Sequence, residues 1–140
     1  MNNKMNLKFL SLSENESFAR LAVASFCANV KLSVEDISDI KTAVSEAVTN
    51  SIVHGYEGTI GEVEIECEIT DSKIEITVSD NGVGIDNIEE AMQPFFTTKP
   101  DKERSGMGFT VMEGFMDKLE VKSTKGEGTI VRFIKNIKEI

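Results

Sequence analysis

Two stretches of strict alternation, close together in the chain, limit most severely what this sequence can become. Val63, Ile65, Cys67 and Ile69 alternate with Glu62, Glu64, Glu66 and Glu68, and then Ile74, Ile76 and Val78 alternate with Glu75 and Thr77. A period of two puts successive side chains on opposite faces of a strand. Each segment is therefore a strand with one apolar face, and the short Asp71-Ser72 link makes the two an antiparallel hairpin. The glutamate face must meet water, so the sheet is covered by helices on one side only.

Those covering segments show the longer helical period. Ile37, Ile40, Val44, Ala47, Val48 and Ser51 form one buried stripe. It begins after Ser33, which with Asp36 three residues on reads as a capped start, and Gly55 fits a C-terminal stop. Glu46, Asn50 and His54 recur at every fourth residue of the same segment. At about 100° per residue, Glu46 and Asn50 lie roughly 110 to 150° from the middle of the stripe, as neighbours on a face that is not the core. Upstream, Met5 to Leu12 reads as a first strand at an edge or a subunit contact. Glu14 to Val30 reads as a helix with Phe18, Leu21, Ala22, Ser25 and Asn29 on one side and Arg20 on the opposite one. Arg20 is either a solvated charge or a docking contact for an acidic partner. Downstream, Val111, Met112, Phe115 and Met116 fall at helix spacing. Leu119 to Ser123 and Thr129 to Ile134 then close the chain as strands joined by Lys125-Gly126-Glu127-Gly128.

Composition excludes several function classes. The 140 residues suit one domain, spanning 1–140, with a single core. A net charge of −9 argues against nucleic acid as a direct partner, since affinity for a phosphate backbone comes from clustered Lys and Arg. It does not exclude a nucleotide, which backbone amides and Mg²⁺ can hold. No apolar run reaches the roughly 20 residues of a membrane span, and the first residues lack the apolar core of a signal peptide, so a cytoplasmic protein without membrane contact is expected. Cys27 and Cys67 fall in apolar patterns with no metal-ligand spacing and read as reduced buried thiols.

Four places carry possible chemistry, and each has a plain alternative. Glu46 and Asn50 are either a solvated helix edge, or a proton-accepting carboxylate one turn before an amide oxygen suited to Mg²⁺. His54 ends the helix, where a histidine is more often a dipole partner than a base. Asp80-Asn81-Gly82-Val83-Gly84 is either a turn or a site in which the aspartate accepts from an exocyclic amine such as that of adenine while the glycines let the backbone approach the ring. Ser105-Gly106-Met107-Gly108, just before a helix, is weak in isolation, but a glycine loop entering a helix N-terminus is a ready anion site because free amides and the helix dipole point at phosphates. Gly126 to Gly128 is a hairpin turn, with Thr129 in reach of the base if these strand ends meet Asp80. Between them, residues 92–109 carry Pro94 and Pro100 in a loop long enough to be a lid.

In order and spacing, Glu46-Ala-Val-Thr-Asn50, Asp80-Asn-Gly-Val-Gly84, Gly106-Met-Gly108 and Gly126-Glu-Gly128-Thr129 resemble the N, G1, G2 and G3 boxes of the ATPase and kinase superfamily of gyrase, the Hsp90 chaperone, histidine kinases and MutL. The likeness runs from about residue 7 to 135. It implies the Bergerat fold: an α/β two-layer sandwich with a mixed, mostly antiparallel sheet, helices on one face, an N box at 46–55, a G1 box at 80–84, an ATP lid at about 94–108 and a G3 box at 126–129. Histidine kinases usually carry an asparagine where Glu46 stands and are preceded by a segment bearing the phosphorylated histidine. Gyrase, Hsp90 and MutL continue into transducer domains. The expectation is therefore the stand-alone type, and the chain closely resembles the anti-sigma F factor family of sporulating bacteria, with the general-stress anti-sigma kinases a similar sibling group.

That resemblance implies a serine kinase that binds and inhibits a sigma factor in the ATP state and phosphorylates a serine of an anti-anti-sigma protein, acting as a homodimer. It also implies roles for particular residues. Asn50 would hold Mg²⁺, Glu46 would orient or deprotonate the serine hydroxyl, and Asp80, Gly82, Gly84, Thr98, Lys99, Ser105, Gly106, Met107, Gly108 and Thr129 would bind ATP, with Arg20 at a partner surface. The alternatives are a general-stress anti-sigma serine kinase of the same family, an ATP-gated sigma-binding module that transfers no phosphate, and a simple hydrolase.

Overall fold

The computed structural model describes residues 2–85 and 108–137. Its elements run β1 (Asn3–Leu10), α1 (Glu14–Cys27), α2 (Val34–Asn50), a π-helical turn (Ser51–Gly55), β2 (Glu62–Ile69), β3 (Lys73–Asp80), α3 (Gly108–Phe115), β4 (Lys118–Thr124) and β5 (Gly128–Asn136). The strands form one sheet in the order β1-β2-β3-β5-β4. β1 is an edge strand, as its short apolar sequence predicts. Every pairing among the described strands is antiparallel, so the mixed sheet implied by the resemblance is corrected to an antiparallel one there.

The alternation of the hairpin decides the layers. Val63, Ile65, Cys67, Ile69, Ile74, Ile76 and Val78 are all buried, and they join Ala19, Val23, Ile40, Val44, Val48, Met112 and Phe133 in one core. Each fully buried aliphatic side chain contributes about 1.5–3 kcal/mol, so this face holds the helices on the sheet. The opposite face is charged. There Lys4 meets Glu68 at 3.4 Å, and Arg132 bridges Glu75 and Glu120 across β3, β5 and β4. The Arg132 guanidinium holds the Glu75 carboxyl below the usual range, and Lys118 with Arg132 does the same for Glu120.

In α2 the Ser33 hydroxyl accepts the Asp36 amide at 3.0 Å, the expected cap. Its buried stripe is Ile40, Ala43, Val44, Ala47 and Val48, with Ile37 only half-buried and Ala43 in addition to the residues expected. α1 departs further from expectation. Its buried face is Ala19, Val23 and Cys27, whereas Phe18 and Leu21 are 55% and 57% exposed. Small residues at positions i and i+4 let α1 lie close against its neighbours, and that packing turns the larger side chains outward. Arg20 therefore does not stand on the solvent side opposite a Phe18–Leu21 core. It lies at the seam with α2, where Glu16 takes both its guanidinium, at 3.9 Å, and the Ser45 hydroxyl.

A half-buried cation, Lys135, ties the helices to the last strand. Lys135 Nζ, its side chain 12% exposed, lies 3.6 Å from Asp36 and 3.5 Å from Asp39 of α2 and donates to the Phe115 carbonyl at 2.8 Å. The far end of α3 is thus tied to the first turn of α2, which sets where its near end, Gly108, comes to lie.

Cys27 and Cys67 are free and buried. Burial pushes the Cys27 thiol up to about 12 and raises that of Cys67 as well. No helix among the described residues is long and apolar enough to cross a membrane.

Candidate functional site

The C-terminal end of α2 is the centre around which the polar residues gather. Beyond Asn50 the helix widens by one π turn, closed by the Tyr56 amide on the Ser51 carbonyl at 3.0 Å. Such widened turns occur often at functional sites. Here the turn directs Ser51 and Gly55 at the end of β3. Gly55 lies against the Asp80 carboxyl, since a Cβ on it would sit 3.0 to 3.1 Å from the carboxyl atoms. The Gly55 carbonyl accepts the Val83 amide at 2.8 Å, and the Val83 carbonyl accepts the Gly126 amide at 2.7 Å. The Asp80–Gly84 loop is therefore clamped between the end of α2 and the β4–β5 turn.

Asp80 is 7% exposed and accepts the Gly82 amide at 2.9 Å. Burial pushes its carboxyl up from the ordinary aspartate range, while hydrogen bonds from Gly82, Ser51 and Thr129 oppose the rise. A buried carboxylate held at the rim of a core is a strong acceptor. Register places Thr129 directly opposite Asp80 and Ser123 directly opposite Thr129, so the three side chains form one polar row on the helix-covered face. The condition set for Thr129, that the strand ends meet Asp80, is fulfilled.

Glu46 and Asn50 are half-buried rather than lying on an open face. Both point at the start of α3: a Cβ on Gly108 would lie 3.2 Å from Glu46 Oε2, 3.2 Å from Asn50 Nδ2 and 3.4 Å from Asn50 Oδ1. A carboxylate, an amide oxygen and a helix N-terminus thus converge, with a glycine where any larger residue would intrude. His54 belongs to the π turn, half-buried at its last positions, as a helix-end residue.

Other glycines sit in close backbone contacts. A Cβ on Gly82 would meet the Gly55 backbone, one on Gly84 the Thr124 carbonyl, and one on Gly128 the Asp80 carbonyl. They let loop pack on loop. Thr98, Lys99, Ser105, Gly106 and Met107, with Arg104 and most of the expected lid, lie outside the described residues.

Sequence reasoning missed several contributors. Ser51 bonds Asp80, and its signal was present as a polar residue within an apolar stripe. The Tyr56 hydroxyl accepts the Asn81 amide at 2.9 Å and donates to the Glu62 carbonyl, holding the loop from beneath. Ser123 receives the Ile85 amide at 2.7 Å, and nothing in its strand pattern marks it.

Comparison with known proteins agrees with this fold. A family model described as the histidine kinase-like ATPase domain matches residues 9–135. The anti-sigma F factor of Caldanaerobacter subterraneus subsp. tengcongensis is 60% identical over 136 residues, 97% of this chain and 95% of that protein. That of Clostridium beijerinckii is 61% identical over 130 residues, covering 92% and 91% of the two chains. Among solved structures, the RsbU and RsbW domains of a Mycobacterium tuberculosis protein share the fold at a TM-score of 0.68 and 16% identity, over 95% of this chain and 32% of that one. The chain belongs to the histidine kinase-like ATPase domain family and, within it, to the anti-sigma F factors.

Proposed function

We propose that this protein is a cytoplasmic anti-sigma factor and ATP-dependent protein serine kinase. It binds and inhibits a sporulation sigma factor when ATP is bound, and it transfers phosphate to a serine of an anti-anti-sigma antagonist. The observation that carries the reading is the convergence of Glu46 and Asn50 on Gly108, where a Cβ would come within 3.2 Å of both side chains. The names of relatives about 60% identical over nearly the whole chain support the anti-sigma part.

The residues fit a Mg-nucleotide. Asn50 supplies a hard amide oxygen to the metal, Gly108 leaves space at a helix N-terminus, and buried Asp80 is an acceptor for an exocyclic amine. Bound Mg²⁺ neutralises charge on phosphate oxygens. Glu46 orients the incoming serine hydroxyl and takes its proton, and the Gly108 amide, with those of Gly106 and Met107, offsets negative charge on the transferring phosphoryl. Gly82 and Gly84 shape the loop beneath the base, Thr129 assists Asp80 in recognising it, and Thr98, Lys99 and Ser105 belong to the lid that closes on the nucleotide.

Arg20 is proposed as a docking residue. It is held by the Ser17 hydroxyl at 3.2 Å and by Glu16, and its Nε is buried with no hydrogen-bond partner among the described residues. The side chain is 36% exposed, so an acidic group of a partner would meet the outer guanidinium nitrogens rather than the buried Nε. Two copies are expected to pair as a homodimer, with the edge strand β1 a natural contact.

The test uses Mg-ATP and a serine-bearing anti-anti-sigma protein, with phosphoserine read by mass spectrometry. Glu46→Gln is expected to bind ATP normally and to transfer phosphate at least about 100-fold more slowly. An unchanged rate rules out Glu46 as the base. Intact sigma binding with no phosphoserine in wild type would instead indicate an ATP-gated binding module.

A further inference from the structure

We infer that Ser123, a residue outside the nucleotide-binding motifs, sets the base specificity of the site by fixing the polarity of the Thr129 hydroxyl. The argument is one of hydrogen-bond arithmetic. A serine hydroxyl has one proton and two lone pairs. Around Ser123 Oγ stand the Ile85 amide at 2.7 Å, the Gly128 carbonyl at 3.0 Å and Thr129 Oγ1 at 2.8 Å. The amide can only donate and the carbonyl can only accept, so they use one lone pair and the sole proton of Ser123. Toward Thr129 only a lone pair is left. The Thr129 hydroxyl must therefore donate to Ser123, and its own remaining capacity is as an acceptor.

The consequence falls on Asp80. Register sets Thr129 directly opposite it, on the same face of the sheet, and Asp80 presents a buried carboxyl group. Two neighbouring groups at this end of the site thus offer acceptors and no donor. A purine with an amine at its six position supplies protons to both. A purine with a carbonyl there turns a lone pair toward two acceptors; its N1–H can serve one of them, and the acceptor left facing the carbonyl disfavours such a ligand. Selection of a 6-amino purine over a 6-oxo purine thereby becomes a property of the Asp80–Thr129–Ser123 row rather than of Asp80 alone.

The inference rests on the nucleotide-binding reading above, and the test separates the two. Binding of ATP and of ITP, which differ at the six position, is titrated calorimetrically on the whole protein with Mg²⁺, for wild type, Ser123→Ala, Ser123→Thr and Thr129→Val. Losing the Ile85 contact in Ser123→Ala weakens both nucleotides together, so the informative quantity is the ratio of their affinities. That ratio is expected to fall about tenfold in Ser123→Ala, because the freed Thr129 hydroxyl can turn and donate to a carbonyl. Thr129→Val removes one of the two acceptors and lowers the ratio likewise, whereas Ser123→Thr keeps the hydroxyl and the ratio. A ratio in Ser123→Ala equal to that of wild type overturns the inference while leaving ATP binding standing. Should that variant fail to fold, an unchanged ratio in Thr129→Val overturns it instead. Wild type binding neither nucleotide removes the nucleotide-site reading itself.

Discussion

Replacing Gly82 by alanine tests the claim that the loop glycines serve packing, and Gly108→Ala is its natural contrast. A Cβ on Gly82 would lie 2.9 Å from the Gly55 Cα and nearer still to the Gly55 carbonyl. The Gly55 carbonyl carbon would be 2.4 Å away, and carbon atoms rest at about 3.5–4.0 Å, so the loop or the π turn must retreat by at least about 1 Å. Both are backbone and cannot rotate aside. The retreat also stretches the 2.8 Å bond from the Val83 amide to the Gly55 carbonyl. Overpacking of this kind costs about 1–3 kcal/mol and the weakened hydrogen bond about 0.5–1.5 kcal/mol, for a total of roughly 2–4 kcal/mol. For a chain of this size that is a fall in Tm of about 6–20 °C. In Gly108→Ala the new Cβ meets only the polar ends of Glu46 and Asn50, at 3.2 Å, which can give way. Gly108 opens α3, where the interior helix preference for alanine has little weight, so stability should stay within about 1 kcal/mol of wild type while nucleotide affinity drops. Melting followed by circular dichroism at one fixed protein concentration without nucleotide, and then nucleotide titration, reads both. A Gly82→Ala protein melting within about 2 °C of wild type, or a Gly108→Ala protein destabilised equally, would refute the reasoning.

Two further outcomes follow from buried ionisable groups. Burial raises the Asp80 carboxyl, so its contribution to stability is present below the unfolded aspartate pKa and is lost as pH rises through the folded value. The Tm difference between Asp80→Asn and wild type should therefore move in favour of the variant as pH rises from 3 to 7, even as nucleotide binding is lost; a difference independent of pH contradicts this. Cys27 and Cys67 are 0% and 2% exposed, with thiols held protonated by burial. Iodoacetamide at pH 8 should leave both unmodified in the folded protein and alkylate both in denaturant, so carboxamidomethylation of either in the native state, seen by mass spectrometry, would count against the packing described.

The antiparallel hairpin, the one-sided sheet, the Ser33 cap and most of the α2 stripe were legible because each depends on residues within a few positions of one another. Alternation in β2 and β3 is a local record of which side faces apolar surroundings. Motif order and spacing likewise carried Glu46, Asn50, Asp80 and Thr129. The face of α1 was not legible. Phe18 and Leu21 outweigh Ala19 and Val23 in hydrophobicity, yet helix contact favours the small residues, and local periodicity carries no information on how closely a neighbour approaches.

By itself, then, the sequence determined the kind of elements, their order and the chemical types available at the end of α2 and at the turns. Only the tertiary structure decided which of those types meet. Ser51 reaches Asp80 because a π turn widens the helix end, Gly108 reaches Glu46 and Asn50 with Lys135 tethering α3, and Ser123 and Asp80 flank Thr129 because three strands share a register. Each of these contacts joins residues distant in the chain, and their closeness follows from strand order and packing, which no single stretch of sequence encodes.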